Sequence, residues 1–288
     1  MDDLSLALHL ADVADELSLA AFRTAATVRH KPDGSLVSAT DVAVERALRA
    51  ELARSRPADA VHGEEFGGGA ARGGALDGGR IWIIDPIDHT NNYIRGIPVY
   101  ATLIALAVDG VVEVGVVSAP AMPRRWWAWR GAGAHAEGAH IGGAHADGVH
   151  ADSAHIGGVF TGGPEPLRVS AVAALDDAHI SFAALSRWED RGSLPGLVEL
   201  SRRTRFTFGS GGFWAQMLVA EGRLDACLDP WGEVWDLAAV QLIVEEAGGR
   251  LTDLSGRAHA AGGCAVVTNG LLHDTLLAML APSETGRC

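Results

Sequence analysis

Leu10, Val13, Leu17 and Ala20 recur at helical spacing with Asp12, Asp15 and Glu16 between them, which predicts an amphipathic helix over residues 3–29. KPDGS (31–35) reads as a turn into a short LVSA strand, and Thr40 or Asp41 is placed to cap the next helix, DVAVERALRAELARS. GEEFGGGAARGGALDGG (63–79) is a glycine-rich loop. Three apolar runs, at 81–85, 100–110 and 111–120, predict strands, the last two joined by the hairpin signal Asp109-Gly110. A WWAWRGAGA strand and turn follow. After residue 164, LRVSAVAALDDAHISFAAL predicts strand, loop and strand, and FGSGGFWAQMLVAEGRLDACL a glycine-rich turn, helix and strand. WDLAAVQLIVEEAGGRLTDLSG predicts a helix closed by Gly248-Gly249, then a strand and turn. Helices and strands mix without strict βαβ alternation, so the expected class is layered α+β.

One stretch departs from this patterning. From residue 134 the chain reads AHAEG AHIGG AHADG VHADS AHIGG, a five-residue repeat carrying His135, His140, His145, His150 and His155. A period of five flips faces on a strand and rotates each histidine by roughly 140° on a helix, so neither element gathers the rings on one face. The expectation is a flexible surface insertion over 134–163, with nickel or zinc binding a lesser reading and a stacked solenoid a further one.

Of the 288 residues, 48% are hydrophobic and 20% charged, a composition that supports a large packed core. A net charge of −13 argues against nucleic acid or an anionic membrane as the main partner. A small anionic substrate remains compatible, because bound divalent cations invert the local field. Cys227, Cys264 and Cys288 are widely spaced without a CxxC pair, and the N-terminal segment is acidic where a signal peptide is basic; both point to a cytoplasmic protein.

The chemistry concentrates in IWIIDPIDHTNNY (81–93), where an apolar run ends on Asp85 and Asp88 follows across Pro86. Acids at the end of a buried strand are rarely decoration. Two carboxylates and the Ile87 carbonyl converging on one point make a hard-oxygen set suited to Mg²⁺, whereas the alternative is a strand-end turn with Asp88 capping a helix. Glu64-Glu65 in HGEEF offers further ligands, and Asp236 stands at a helix start, where an N-cap is the simpler role.

In order and spacing, VSATD (37–41), GEE (63–65), DPIDHTNNY (85–93) and WDLAAVQLIVEEAGG (235–249) resemble the signatures of the inositol monophosphatase superfamily. RGIPVYATLIAL, VVSAPAMPRRWWAWRGAGA, FWAQMLVAEG and TNGLLHD look most like its bacterial histidinol-phosphate phosphatase branch. The resemblance implies an αβαβα sandwich of the inositol monophosphatase / fructose-1,6-bisphosphatase type. It implies one unit over 1–288, with a metal-binding part at 1–133 and a smaller part at 164–288 completing the site. Also implied are two or three Mg²⁺ ions, with Mn²⁺ as a substitute, a small phosphorylated metabolite as substrate, and a homodimer. By position, Glu64, Asp85, the Ile87 carbonyl, Asp88 and Asp236 would hold the metals. Thr90, paired with Asp41, would activate water, with Glu65 as an outlying base. The backbone amides of His89 and Thr90 would hold phosphate, and Gly211, Gly212 and Asp229 would line the substrate pocket.

Departures from the pattern are local. His89 stands where the family usually has glycine, and Asn91-Asn92-Tyr93 replaces a Lys/Ala-Asn-Phe pattern. Gly211-Gly212-Phe213-Trp214 lacks the acid of the branch's GDFW, and Asp229 replaces a glutamate. The expectation at 89 is a right-handed backbone that accommodates the side chain, with the imidazole available to phosphate. The leading function is a phosphomonoesterase acting on histidinol phosphate. The alternatives are a sugar, cyclitol or nucleoside phosphatase, a non-hydrolytic ligand-binding homologue, and a metal-buffering protein.

Overall fold

A computed structural model describes the chain except residues 25–26, 32–33, 68–75, 77, 139–162, 259–262 and 282–288. The chain begins with α1 (Asp3–Ala21), β1 (Val28–His30), β2 (Leu36–Ser38), α2 (Ala39–Ser55) and β3 (Ala60–Gly63). Then come β4 (Arg80–Asp88), α3 (Thr90–Ile94), β5 (Ala101–Val108), β6 (Val111–Ala119), β7 (Arg124–Trp129), β8 (Ala134–Gly138) and β9 (Glu165–Pro166). The remainder is β10 (His179–Phe182), α4 (Leu185–Asp190), α5 (Leu194–Arg203), β11 (Phe206–Phe208), α6 (Gly212–Ala220), β12 (Ala226–Asp229), α7 (Val234–Glu246), β13 (Arg250–Thr252), β14 (Ala265–Thr268) and α8 (His273–Leu280).

Strands β3 to β9 form one seven-stranded sheet in sequence order, and β11-β10-β12-β14-β13 form a second. Residues 81–84, IWII, are apolar at consecutive positions because both faces of the first sheet are covered. Trp82 and Ile84 pack with Leu6, Leu10, Val44 and Leu48 of α1 and α2. Ile81 and Ile83 point the other way, into a core shared with Met217 of α6, Val240 of α7, and Cys227 and Val267 of the second sheet. The outer face of that sheet buries Ile180 and Leu228 against Trp188, Leu197 and Leu276 of α4, α5 and α8. The order is therefore helices, sheet, helices, sheet, helices, the αβαβα sandwich that the resemblance implied.

Helix α7 is pressed onto the first sheet where β6 carries Gly115. A Cβ there would stand 2.8 Å from the Ala239 carbonyl oxygen, so only glycine allows this approach. This contact places the N-terminus of α7, and with it Asp236, beside the end of β4.

Several local expectations are corrected. The first helix ends at Ala21 rather than 29, because β1 begins at Val28. Ser38, not Thr40 or Asp41, caps α2; Asp41 is the third helical residue and completes a capping box by accepting the Ser38 N–H. Leu167–Ser170 is irregular, so only His179–Phe182 of that predicted strand pair forms a strand. The first unit of the histidine repeat is β8, paired with β7 and β9 and placing Ala134 and Ala136 in the core. His140, His145, His150 and His155 lie outside the described residues. Cys227 is a free, buried thiol, and Cys288 lies outside the described residues. Among the described residues no helix is long and apolar enough to cross a membrane.

Candidate active site

Three residues apart on a regular strand, Asp85 and Asp88 would face opposite sides of the sheet. They do not, because the β4–β5 ladder slips between them: Asp85 pairs with Leu103 and Asp88 with Ala101, so Pro86 and Ile87 together oppose Thr102. Pro86 has no N–H to give the ladder, and its carbonyl instead accepts the Thr102 hydroxyl at 2.8 Å. The bulge turns both carboxylates toward one point. Asp85 Oδ1 accepts the Ile87 N–H at 2.9 Å, and Asp88 Oδ1 accepts the His89 N–H at 2.8 Å.

Asp236 reaches the same point from α7. It is the third residue of the helix and accepts the Glu233 N–H at 2.8 Å, so it closes a capping box rather than serving as the N-cap. Asp85, Asp88 and Asp236 each offer an oxygen within 4.8 Å of the others. Burial pushes Asp85 well above the ordinary carboxylate range, and the charges of Glu64, Asp88, Asp236 and Asp41 push it further. Asp236 is raised in the same way, by burial and then by Asp88. Packed hard-oxygen acids that repel one another in this way fit a divalent cation, which would relieve both costs.

Glu64 joins the edge of this cluster because β3 runs parallel to β4 and the Glu64 N–H continues the ladder to the Ile84 carbonyl at 3.1 Å. Lys31, from the β1–β2 turn, bridges Glu64 at 2.8 Å and Glu65 at 2.7 Å. Burial raises both glutamates against that ammonium, Glu65 to about 7. The loop itself hangs on Glu45, fully buried on α2, which accepts the amides of Glu65 at 2.7 Å and Phe66 at 3.2 Å. Sequence reasoning missed Lys31 and Glu45; the signal for Glu45 is an acid on the buried face of its helix.

Thr90 Oγ1 lies 3.0 Å from Asp41 Oδ1 and 3.0 Å from the Ile87 carbonyl oxygen. Asp41 is fully buried, and burial raises its pKa against the opposing hydrogen bonds from Ser38. Thr90, Glu64, Asp88 and Asp236 line an open cleft of about 530 Å³ whose far wall is Gly209–Phe213 with Trp231, while Asp41 and Asp85 are buried.

At His89 the structure overturns the expectation of a right-handed backbone: φ is +65° and ψ +45°. A side chain there costs about 1–2 kcal/mol, which glycine would not incur. The His89 amide, expected to hold phosphate, donates to Asp88. The ring lies across the cleft over Gly212 and edge-on to Phe213, with ring centres 5.4 Å apart.

Asp229 is buried beneath the Gly209–Phe213 wall, with its carboxylate already engaged. It accepts the Gly212 N–H at 3.2 Å, Gln216 Nε2 at 2.7 Å and the Cys227 thiol at 3.3 Å. Gly211 makes room for it: a Cβ there would stand 2.4 Å from Asp229 Oδ1. Asp229 therefore fixes the shape of the wall, a task its position in the sequence did not reveal.

The sequence profile of the inositol monophosphatase family matches residues 2–284. A histidinol-phosphatase of Mycobacterium tuberculosis is 47% identical over 97% of this chain and 98% of its own length. One from Streptomyces coelicolor is 44% identical over 97% of each. Among solved structures, an IMPase of Thermotoga maritima superposes with a TM-score of 0.77 at 28% identity, covering 97% of both chains. With this match running nearly end to end, the chain belongs to the inositol monophosphatase family and is a phosphoric monoester hydrolase.

Proposed function

We propose that the chain hydrolyses a small-molecule phosphate monoester with Mg²⁺, and that histidinol phosphate is the first substrate to test. The observation that carries this is the convergence of Asp85, Asp88 and Asp236, with Asp88, Asp236 and the Asp41-paired Thr90 lining one cleft. Glu64, Asp85, the Ile87 carbonyl, Asp88 and Asp236 hold the metal. When bound, Mg²⁺ neutralises phosphate charge and lowers the pKa of water. Thr90 orients the attacking water through its hydroxyl, and Asp41 accepts the proton that Thr90 relays. Glu65, raised to about 7 and held by Lys31, is an outlying base for the same proton. No covalent enzyme intermediate is required. The two relatives reported above carry the name histidinol-phosphatase, which supports the choice of first substrate.

A second reading keeps the chemistry and changes the leaving group. Because the Asp229 carboxylate is engaged and residue 212 is glycine, the far wall presents no unengaged carboxylate among the described residues to a cationic substrate. A sugar, cyclitol or nucleoside phosphate suits that wall. Phosphate release from histidinol phosphate, inositol phosphates, sugar phosphates and nucleotides, each with and without Mg²⁺, separates these readings. Release from none of them would reject the hydrolytic one. The reading includes a homodimer, checked by sedimentation.

A further inference from the structure

The imidazole of His89 is held in the cleft by an unusual arrangement. Its backbone occupies the left-handed region, where glycine is favoured, yet the ring is fixed on three sides. Asn92 Nδ2 donates to the Val99 carbonyl at 2.8 Å, which sets the amide's orientation, and lies 3.3 Å from His89 Nδ1. An amide nitrogen has only hydrogens to offer, so Nδ1 accepts and the ring hydrogen sits on Nε2. Phe213 packs against the ring edge. On the third side Gly212 leaves the space open: a Cβ at 212 would stand 2.3 Å from Nε2. Nε2 itself makes no hydrogen bond to any described residue.

Asn92 and Gly212 are thus a matched pair of supports, one fixing the ring's tautomer and the other its room. We infer that His89 is a specificity-determining residue: its Nε2–H, aimed by Asn92 and accommodated by Gly212, donates to an uncharged acceptor atom on the substrate's leaving group, a hydroxyl oxygen or a ring nitrogen. This rests on the phosphatase reading of the same cleft. The imidazole recognises the alcohol portion, while the acids and Thr90 act on the phosphate. A site built to donate to such an atom rejects the analogue that lacks it far more strongly than a pocket that only measures size.

The test compares glycerol 2-phosphate with isopropyl phosphate, which has the same carbon skeleton without the hydroxyls. Each is measured by kcat/KM or, where turnover is slow, as a competitive inhibitor of p-nitrophenyl phosphate hydrolysis. The parent favours glycerol 2-phosphate by tenfold or more, on the order of one lost hydrogen bond to a donor left unpaired. In His89→Gly, which relieves the left-handed backbone and so folds at least as well as the parent, that ratio collapses toward one, chiefly through KM. Gly212→Ala made in both backgrounds supplies a second readout. It erodes the ratio in the parent and leaves it unchanged in His89→Gly, because the backbone strain at 212 is common to both and cancels. An unchanged ratio in His89→Gly, no discrimination by the parent, or equal effects of Gly212→Ala in both backgrounds overturns the inference. Absence of any phosphatase activity in the parent would instead reject the reading beneath it.

Discussion

The Thr90 hydroxyl stands 3.0 Å from Asp41 Oδ1 although the two residues are 49 positions apart, one opening α3 and the other in the first turn of α2. The contact joins the helical layer over the first sheet to the bulged end of β4. Thr90→Ala is expected to lower kcat by on the order of 10²–10⁴ with KM little changed, and Thr90→Ser to retain most of the rate. Steady-state phosphate release decides. A Thr90→Ala variant with the parent's kcat would remove this pair from the mechanism.

Asp85 is fully buried among four other acids, so in metal-free protein its charge is a burden. Asp85→Asn keeps the oxygen that accepts the Ile87 N–H but removes that charge. The metal-free variant is expected to melt no lower than the parent while losing the rise in Tm that Mg²⁺ gives. For the parent, Mg²⁺ at a hundredfold excess over Kd contributes about 2.7 kcal/mol. An equal Mg²⁺-dependent rise in both proteins would mean that the ion binds elsewhere.

Much of this site was legible because its signals are local. An apolar run into two acids across a proline, an acid at a helix start and a Glu-Glu pair before glycines each mark a place where burying charge needs a reason. The mixing of strands and helices already pointed to a layered α+β class, and the resemblance carried by the order of motifs narrowed it to the αβαβα sandwich. Contacts between distant segments were not legible. Lys31 meets Glu64 and Glu65 only through the β1–β2 turn, and Glu45 reaches the same loop from α2. Nor does a sequence print a backbone angle. The left-handed φ at His89 and the space that Gly212 leaves for its ring are properties of the fold, and they turned a puzzling substitution into one half of a pair.

His273 gives a pH dependence independent of the acid cluster. It is fully buried, with Nε2 2.9 Å from Thr252 Oγ1 and Nδ1 2.9 Å from Thr268 Oγ1. Thr252 donates its own hydrogen to the Asp253 carbonyl, so it accepts from Nε2–H, and Nδ1 is left to accept from Thr268. Burial, and then the nearby Arg250 charge, hold the pKa down at about 4 against an ordinary 6.5. The unfolded chain thus binds the proton more readily than the folded one. This contribution is intact above pH 6.5 and is lost as pH falls from 6.5 toward 4. Denaturant unfolding of the parent and His273→Gln between pH 7 and 4.5 is expected to show the steeper acid loss in the parent. Parallel profiles would contradict it.

Gly115 tests the contact that places Asp236. Gly115→Ala drives a methyl to within 2.8 Å of the Ala239 carbonyl oxygen, so α7 must lift from the sheet. A loss of about 1–3 kcal/mol in unfolding free energy is expected, together with weaker Mg²⁺ binding, although the mutated residue touches no ligand. Calorimetric titration of Mg²⁺ into the folded variant checks the second effect. Parent-like affinity and stability would show that this packing does not set the position of Asp236.

The central claim is that three converging carboxylates hold the metal with which this chain hydrolyses a phosphate monoester. Phosphate release by the parent and by Asp236→Asn, over the same panel of esters and with Mg²⁺ present or chelated, measures it most directly. Rapid release by the parent with Mg²⁺, near-complete loss on chelation, and a loss of at least about a hundredfold in Asp236→Asn are expected. Release that persists at the parent's rate after chelation, or in Asp236→Asn, would contradict the claim.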